Sequence, residues 1–159
     1  MDIKTKDNLS DYNHKDLFAI APRILLVEDN HLSQRIITAL LQEFGCTVDL
    51  AKTGAEALKM FMTGYDAIFL DLGLPDISGI TIARAIRSEE NINKLRGNVI
   101  LALTACGNSI ADSCYAAGFN DFYTKPVQYD QLKWAFLKWL PNHCKNSPFS
   151  VSKQRCEHE

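Results

Sequence analysis

Four short apolar runs recur along this chain, each ending on a polar side chain, with helix-patterned segments between them. Arg23-Ile24-Leu25-Leu26-Val27 runs into Glu28-Asp29, and Ala67-Ile68-Phe69-Leu70 runs into Asp71. Val99-Ile100-Leu101-Ala102-Leu103 runs into Thr104, and the shorter Asp121-Phe122-Tyr123-Thr124 runs into Lys125-Pro126. Continuous apolar runs rich in β-branched and aromatic residues read as strands buried on both faces. Strands that alternate with helices predict a parallel sheet covered on both sides, and five βα units fit the flavodoxin-like doubly wound order 2-1-3-4-5. In such sheets, reactive groups collect outside the carboxyl ends of the strands. An acid pair, a lone Asp, a Thr and a Lys are therefore expected to converge on one edge.

The intervening segments support this frame. The first helix follows Asp29-Asn30, either of which can cap it, and carries the stripe Ile37, Leu40, Leu41 and Phe44 before Gly45. Cys46–Leu50 reads as the remaining strand. Thr53-Gly54-Ala55-Glu56 has capping-box spacing and opens a second helix with Leu58, Phe61 and Met62 inward and Gly64 at its end. The third starts near Ser78, carries Ile82, Ala83 and Ile86, and gives way to a polar surface loop over Ser88–Asn98. The fourth, Ser109–Ala117, is built on Ala, Ser and Cys, buries little area and should be among the less stable elements. The fifth, Tyr129–Leu140, turns Leu132, Ala135, Phe136, Trp139 and Leu140 inward and leaves Trp134 and Leu137 outside, with Pro141 as its stop. The expected organisation is a polar leader or linker over 1–21, with a short helix near Asp11–Ala19, then a domain over 22–141 and a flexible tail over 142–159.

Composition narrows the function classes. With 159 residues, 47% of them apolar, and a net charge of −2, the chain can bury one core of its own and carries no basic excess for nucleic acid. There is no run of eighteen or more apolar residues and no apolar secretory core after Met1, so no membrane span is expected and a cytoplasmic location follows. Five cysteines (46, 106, 114, 144 and 156) without a CxxC pair read as reduced thiols. His143-Cys144 and Cys156-Glu157-His158 are too loosely spaced to read as a zinc site.

Three carboxylates at one strand edge cannot all ionise side by side without compensation. Oxygen-only ligands in a half-open site suit Mg²⁺, with Asp29 and Asp71 expected as direct ligands and Glu28 acting through water. Asp71 is the candidate nucleophile, because a carboxylate can take a phosphoryl group when metal and an adjacent cation neutralise its charge. Lys125 supplies that cation and Thr104 a hydroxyl donor. This set, Glu28-Asp29, Asp71 with Pro75 and Gly79 behind it, Thr104-Ala105 and Lys125-Pro126, resembles the receiver domain of two-component response regulators over roughly residues 22–141.

The resemblance implies phosphorylation on Asp71, the backbone carbonyl of Gly73 as a further metal ligand, and a switch in which Thr104 moves with Phe122. It also implies an output face on the fourth helix, last strand and fifth helix, with possible homodimerisation there and Trp134 as a candidate anchor. Many receivers carry Tyr where this chain has Phe122, so no hydroxyl holds either state of the ring. Gly73 and Cys106 stand where family members tune phosphate loss, and neither can activate a water. The Ile24–Asn30 run and the Trp139-Leu140-Pro141 ending look most like receivers of hybrid sensor histidine kinases, which implies a histidine kinase or histidine phosphotransfer protein as partner. A stand-alone regulator is equally compatible. A haloacid-dehalogenase-like phosphohydrolase would want a second Asp where Gly73 stands. A dinucleotide-binding domain would want a glycine-rich loop in place of Glu28-Asp29-Asn30. An interaction module that takes no phosphate is the remaining alternative.

Overall fold

A computed structural model of the chain describes residues 17–145. Five parallel strands, β1 (Arg23–Val27), β2 (Thr47–Ala51), β3 (Ala67–Asp71), β4 (Val99–Thr104) and β5 (Asp121–Thr124), lie in the order β2-β1-β3-β4-β5. The helices between and after them are α1 (His31–Glu43), α2 (Gly54–Met60), α3 (Gly79–Ile92), α4 (Ala111–Ala117) and α5 (Tyr129–Trp139). This is the flavodoxin-like doubly wound arrangement.

The apolar runs are continuous because the sheet is buried twice. Ile24, Leu26, Phe69, Leu101 and Leu103 face a core closed by Ile37, Leu41 and Phe44 of the α1 region and by Leu132, Phe136 and Leu137 of α5. The alternate residues Leu25, Val27, Ile68, Leu70, Ile100 and Ala102 face a second core closed by Ala57, Phe61, Ile82, Ile86 and Cys114. Phe136 is the hub of the first core. Its ring meets Phe18, Phe44 and Phe69 edge-on at centroid distances of 5.1, 5.2 and 6.2 Å, contacts each worth about 0.5–1.5 kcal/mol beyond area burial.

Several expectations are revised. The polar stretch after Ile86 is not all loop: α3 continues to Ile92, and Glu90 is buried. Arg87 and Glu90 pair one turn apart at 2.8 Å, while Glu90 Oε1 accepts from both the backbone N–H and the side-chain amide of Asn98 at 2.7 Å. Arg87 also donates to the carbonyls of Asn98 and Gly118 and to Asn120 Oδ1. That network turns an apparently solvated run into a folded joint. Met62 is exposed, because a 3-10 turn over Phe61–Thr63 takes over from α2 and rotates it outward. Leu137 is fully buried, and only Trp134 of the two leaves the core, at 41% exposure. The capping box of α2 is half-formed. Glu56 N donates to Thr53 Oγ1, but the Glu56 carboxylate takes the N–H of Lys52.

The boundaries at residues 22 and 141 also fall inside packed structure. Leu17 is 1% exposed, Phe18 bridges Cys144 in an antiparallel pair, and Ala19 N and Lys145 N donate to His143 O and Leu17 O at 2.7 and 2.8 Å. Burial of Leu17 in the first core and packing of Phe18 edge-on against Phe136 bring these flanks onto the domain. Residues 17–19 are not helical, and the rest of the helix expected near Asp11 lies outside the described residues. The described cysteines, 46, 106, 114 and 144, are free, and Cys144 is buried with its Sγ donating to Phe136 O. Cys156 and His158 lie outside the described residues. No helix among the described residues is long and apolar enough to cross a membrane.

Leu17→Ala should lower the free energy of urea unfolding by about 2–4 kcal/mol, as for other buried leucines. A loss under about 0.5 kcal/mol, the range of a surface substitution, would show that the N-terminal flank is not part of the core.

Candidate functional site

The site sits where β1, β3, β4 and β5 run out. Glu28 follows β1 directly and is fully buried, whereas Asp29 beside it is exposed. Capping decides this division of labour. Asn30, not Asp29, accepts the N–H of Ser33 at 3.0 Å and starts α1, so Asp29 is left facing the sheet edge. Glu28 is held from two further sides. Its Oε1 accepts the N–H of Asn30 at 3.1 Å, and its backbone carbonyl accepts from the buried side-chain amide of Gln34 at 2.8 Å.

Asp71, the last residue of β3, is 7% exposed, and its Oδ1 accepts the N–H of Gly73 at 3.0 Å. Carboxylate oxygens of Glu28, Asp29 and Asp71 all lie within 4.8 Å of one another. Lys125 enters this cluster from the end of β5, its Nζ 2.5 Å from Glu28 Oε2 and 3.0 Å from Asp71 Oδ2. Burial raises the pKa of Glu28 above its ordinary value, against the opposing pull of Lys125 and the Asn30 N–H. Burial by itself would lower the pKa of Lys125, but its bonds to Glu28 and Asp71 outweigh that and hold it above its usual value. The contact with Lys125 thus opposes the effect of burial on Glu28, and the two carboxylates favour the charged form of Lys125.

Thr104 ends β4 and is 2% exposed. Its Oγ1 accepts the N–H of Cys106 at 2.9 Å, which leaves the hydroxyl proton free to point elsewhere. A cavity of about 440 Å³ is lined by Asp71, Gly73, Thr104, Ala105, Cys106, Ile110 and Lys125, so these residues share one concave space. Phe122 lies on β5 three residues before Lys125 and opposite Ala102, half-buried and edge-on to Tyr115 at 6.0 Å. Every residue expected in the site is thus at this edge, apart from Phe122, which stands beside it under α4.

Three supporting residues were not foreseen. Gln34 and Asn30 orient Glu28, and Asp76 accepts the N–H groups of Gly54 and Ala55 at 2.9 and 3.0 Å. Asn30 was one of two caps the sequence allowed. Nothing in the pattern marks Gln34 as buried or Asp76 as reaching a helix more than twenty residues earlier.

A family model for the response regulator receiver domain matches residues 24–136. The chain belongs to that family. This receiver is 36% identical over 140 residues, 82% of its length, to hybrid signal transduction histidine kinase L of Dictyostelium discoideum, and it spans only 8% of that protein. The fold matches the receiver domain of Saccharomyces cerevisiae Ssk1, crystallised with the histidine phosphotransfer protein Ypd1, with a TM-score of 0.70 and 34% identity over 76% of this chain and 90% of that one. It also matches the receiver of a Pseudomonas aeruginosa sensor histidine kinase that holds a magnesium ion in its active-site cleft, with a TM-score of 0.67 and 35% identity over 77% and 99% of the two chains. The chain is a receiver domain of the two-component phosphorelay type.

Lys125→Met leaves Glu28 buried without its cation. In chelator-containing buffer at pH 7 this should lower unfolding stability by about 2 kcal/mol. With the folded pKa of Glu28 raised further above its unfolded value, the cost is present above that folded pKa and is relieved as the pH falls through it. Urea titrations at pH 7 and pH 5 check this; a deficit that grows on acidification would contradict the pairing.

Proposed function

We propose that this receiver accepts a phosphoryl group on Asp71. The observation that carries the reading is the convergence of three carboxylates and one lysine ammonium, Glu28, Asp29, Asp71 and Lys125, at the carboxyl edge of the sheet. The donor set fits Mg²⁺: it is all oxygen, Asp29 is open to solvent, and the local charge is three negatives against one positive. Asp29, Asp71 and the Gly73 carbonyl would hold the ion, with Glu28 acting through water. When bound, Mg²⁺ supplies charge neutralisation to the incoming phosphoryl oxygens.

The chain's own residues do the rest. Asp71 Oδ attacks phosphorus of a phosphohistidine, the N–P bond breaks, and the histidine nitrogen keeps the electron pair while an acyl phosphate forms on Asp71. Lys125 shifts from pairing two carboxylates to pairing the new phosphoryl oxygens, and the Thr104 hydroxyl donates to one of them. Both residues end strands beside the output elements, so their movement, with inward packing of Phe122, would bias the α4–β5–α5 face as a two-state element. The α4 helix is suited to this, being two turns long and preceded by a 3-10 turn with no side-chain cap. Trp134 on α5 is a candidate contact on that face, where homodimerisation is possible.

A histidine kinase or histidine phosphotransfer protein is the proposed donor or acceptor, supported by the Ssk1 receiver crystallised with Ypd1. The chain spans about a tenth or less of the first curated relatives, so membership of a hybrid kinase and a stand-alone regulator are both proposals. The role is stoichiometric rather than catalytic: Gly73 stands where a phosphohydrolase would carry its acid-base group. Phosphate loss would then be set by water access past the exposed Cys106. The free cysteines among the described residues suit a reducing, cytoplasmic location, and the proposed phosphoryl transfer needs no nucleic acid.

With Mg²⁺ and acetyl phosphate, the wild-type chain should gain one phosphoryl group by intact mass, and Asp71→Asn none. An equal adduct on Asp71→Asn would overturn the assignment; no adduct on either would favour a module that takes no phosphate, and continuous ester turnover would favour a hydrolase.

A further inference from the structure

The loop after Asp71 spans residues 72–78 and carries Gly73. It is tied at one end by its own backbone, Gly79 N donating to Leu72 O at 3.2 Å. Gly79 permits that closure, because a Cβ there would sit 2.6 Å from Asp71 O and 2.8 Å from Leu72 Cα. The middle of the loop is tied to a different element. Asp76 Oδ1 and Oδ2 accept the N–H groups of Gly54 and Ala55, the first two residues of α2. Packing closes the same seam. An added Cβ on Gly54 would lie 2.6 Å from Ile82 Cδ1 and 3.0 Å from Ile77 Cβ, so the start of α2 rests directly on the loop and on α3. Leu74, between Gly73 and Asp76, is itself buried.

We infer that Asp76 is a positioning residue for the acidic site, holding the loop so that the Gly73 backbone is presented beside Asp71. This rests on the reading of the site as a Mg²⁺-dependent phosphoacceptor. Besides the two-pronged tie, the loop is held at its ends, where Leu72 N donates to Leu103 O and Gly79 N to Leu72 O, at Gly73 by Asp71 Oδ1, and by the packing of Leu74 and Ile77; Asp76 supplies its polar tie to α2. Asp76 keeps its charge on α2's terminus, where the two amides hold its carboxyl below the usual range. Its side-chain bonds go to α2 and not to the acidic cluster or Lys125, so its effect is argued through the loop.

Thr53 provides the control. It caps the same helix, accepting the N–H of Glu56 at 3.1 Å, but has no tie to the loop. Isothermal calorimetry with Mg²⁺ alone, on the chain without phosphodonor, separates the two. Asp76→Ala should weaken Mg²⁺ binding about tenfold, the low end of what losing a supporting partner does to a metal site. Asp76→Asn, which keeps accepting oxygen on one prong, should recover part of that loss, while Thr53→Ala should lower the unfolding temperature yet leave Mg²⁺ affinity unchanged. Acetyl phosphate labelling should slow in parallel with the affinity. An unaltered Mg²⁺ affinity in folded Asp76→Ala, or an equal loss in Thr53→Ala, would overturn the positioning role; if Asp76→Ala does not fold, the comparison of Asp76→Asn with Thr53→Ala decides in the same way. A wild-type chain that binds no Mg²⁺ would instead overturn the reading of the site itself.

Discussion

A carboxylate without solvent exposure has to meet a cation, and Glu28 meets one supplied from 97 residues away. Lys125 touches Glu28 and Asp71 together, joining the ends of the first, third and last strands in one ionic contact. Buried pairs of this kind give little net stability, because desolvation offsets most of the attraction, yet losing one partner is expensive. Their value lies in specificity. Here the pair leaves a cation poised between two anions, a state that a new, more highly charged anion at Asp71 would rearrange.

That rearrangement has short mechanical routes outward. Lys125 N bonds Thr104 O, so the two residues that would answer a phosphoryl group are already linked through backbone. Thr104 leads into the 3-10 turn and the short α4, whose inward side chains are small; Lys125 leads into α5, anchored by the Phe136 aromatic cluster. A weakly packed element beside a strongly packed one is the arrangement in which a local change of charge moves the first and not the second. The far end of α4 is pinned by Arg87, which grips Gly118 O and Asn120, so the displacement proposed on phosphorylation would be confined to the end nearer the site.

The fold and most of the site were legible in the sequence because both follow from local pattern. Doubly buried strands give continuous apolar runs, and their polar terminators mark the edge where the acids, Thr104 and Lys125 gather. Local pattern misleads where a residue's fate depends on something distant. Ser88–Asn98 looked solvated because the partners of Arg87 and Glu90 lie across the α3–β4 and α4–β5 connections. Leu137 looked outward on a single helical stripe because α5 is flanked on more than one side. Leu17 and Phe18 look like linker because the core they join, including the Phe136 ring that Phe18 meets edge-on, is completed nearly 120 residues later.

The chain alone determined the alternation of strand and helix, the identity of Asp71, Thr104 and Lys125 as strand-end residues, and the sign of every charge in the pocket, since periodicity and residue type are properties of sequence. Tertiary structure decided which acid is buried, which Asx residue caps α1, how one lysine divides itself between two carboxylates, and that Asp76 reaches back to α2. Those are matters of distance and exposure, and distances between residues far apart in the chain exist only once the sheet has brought its strand ends together.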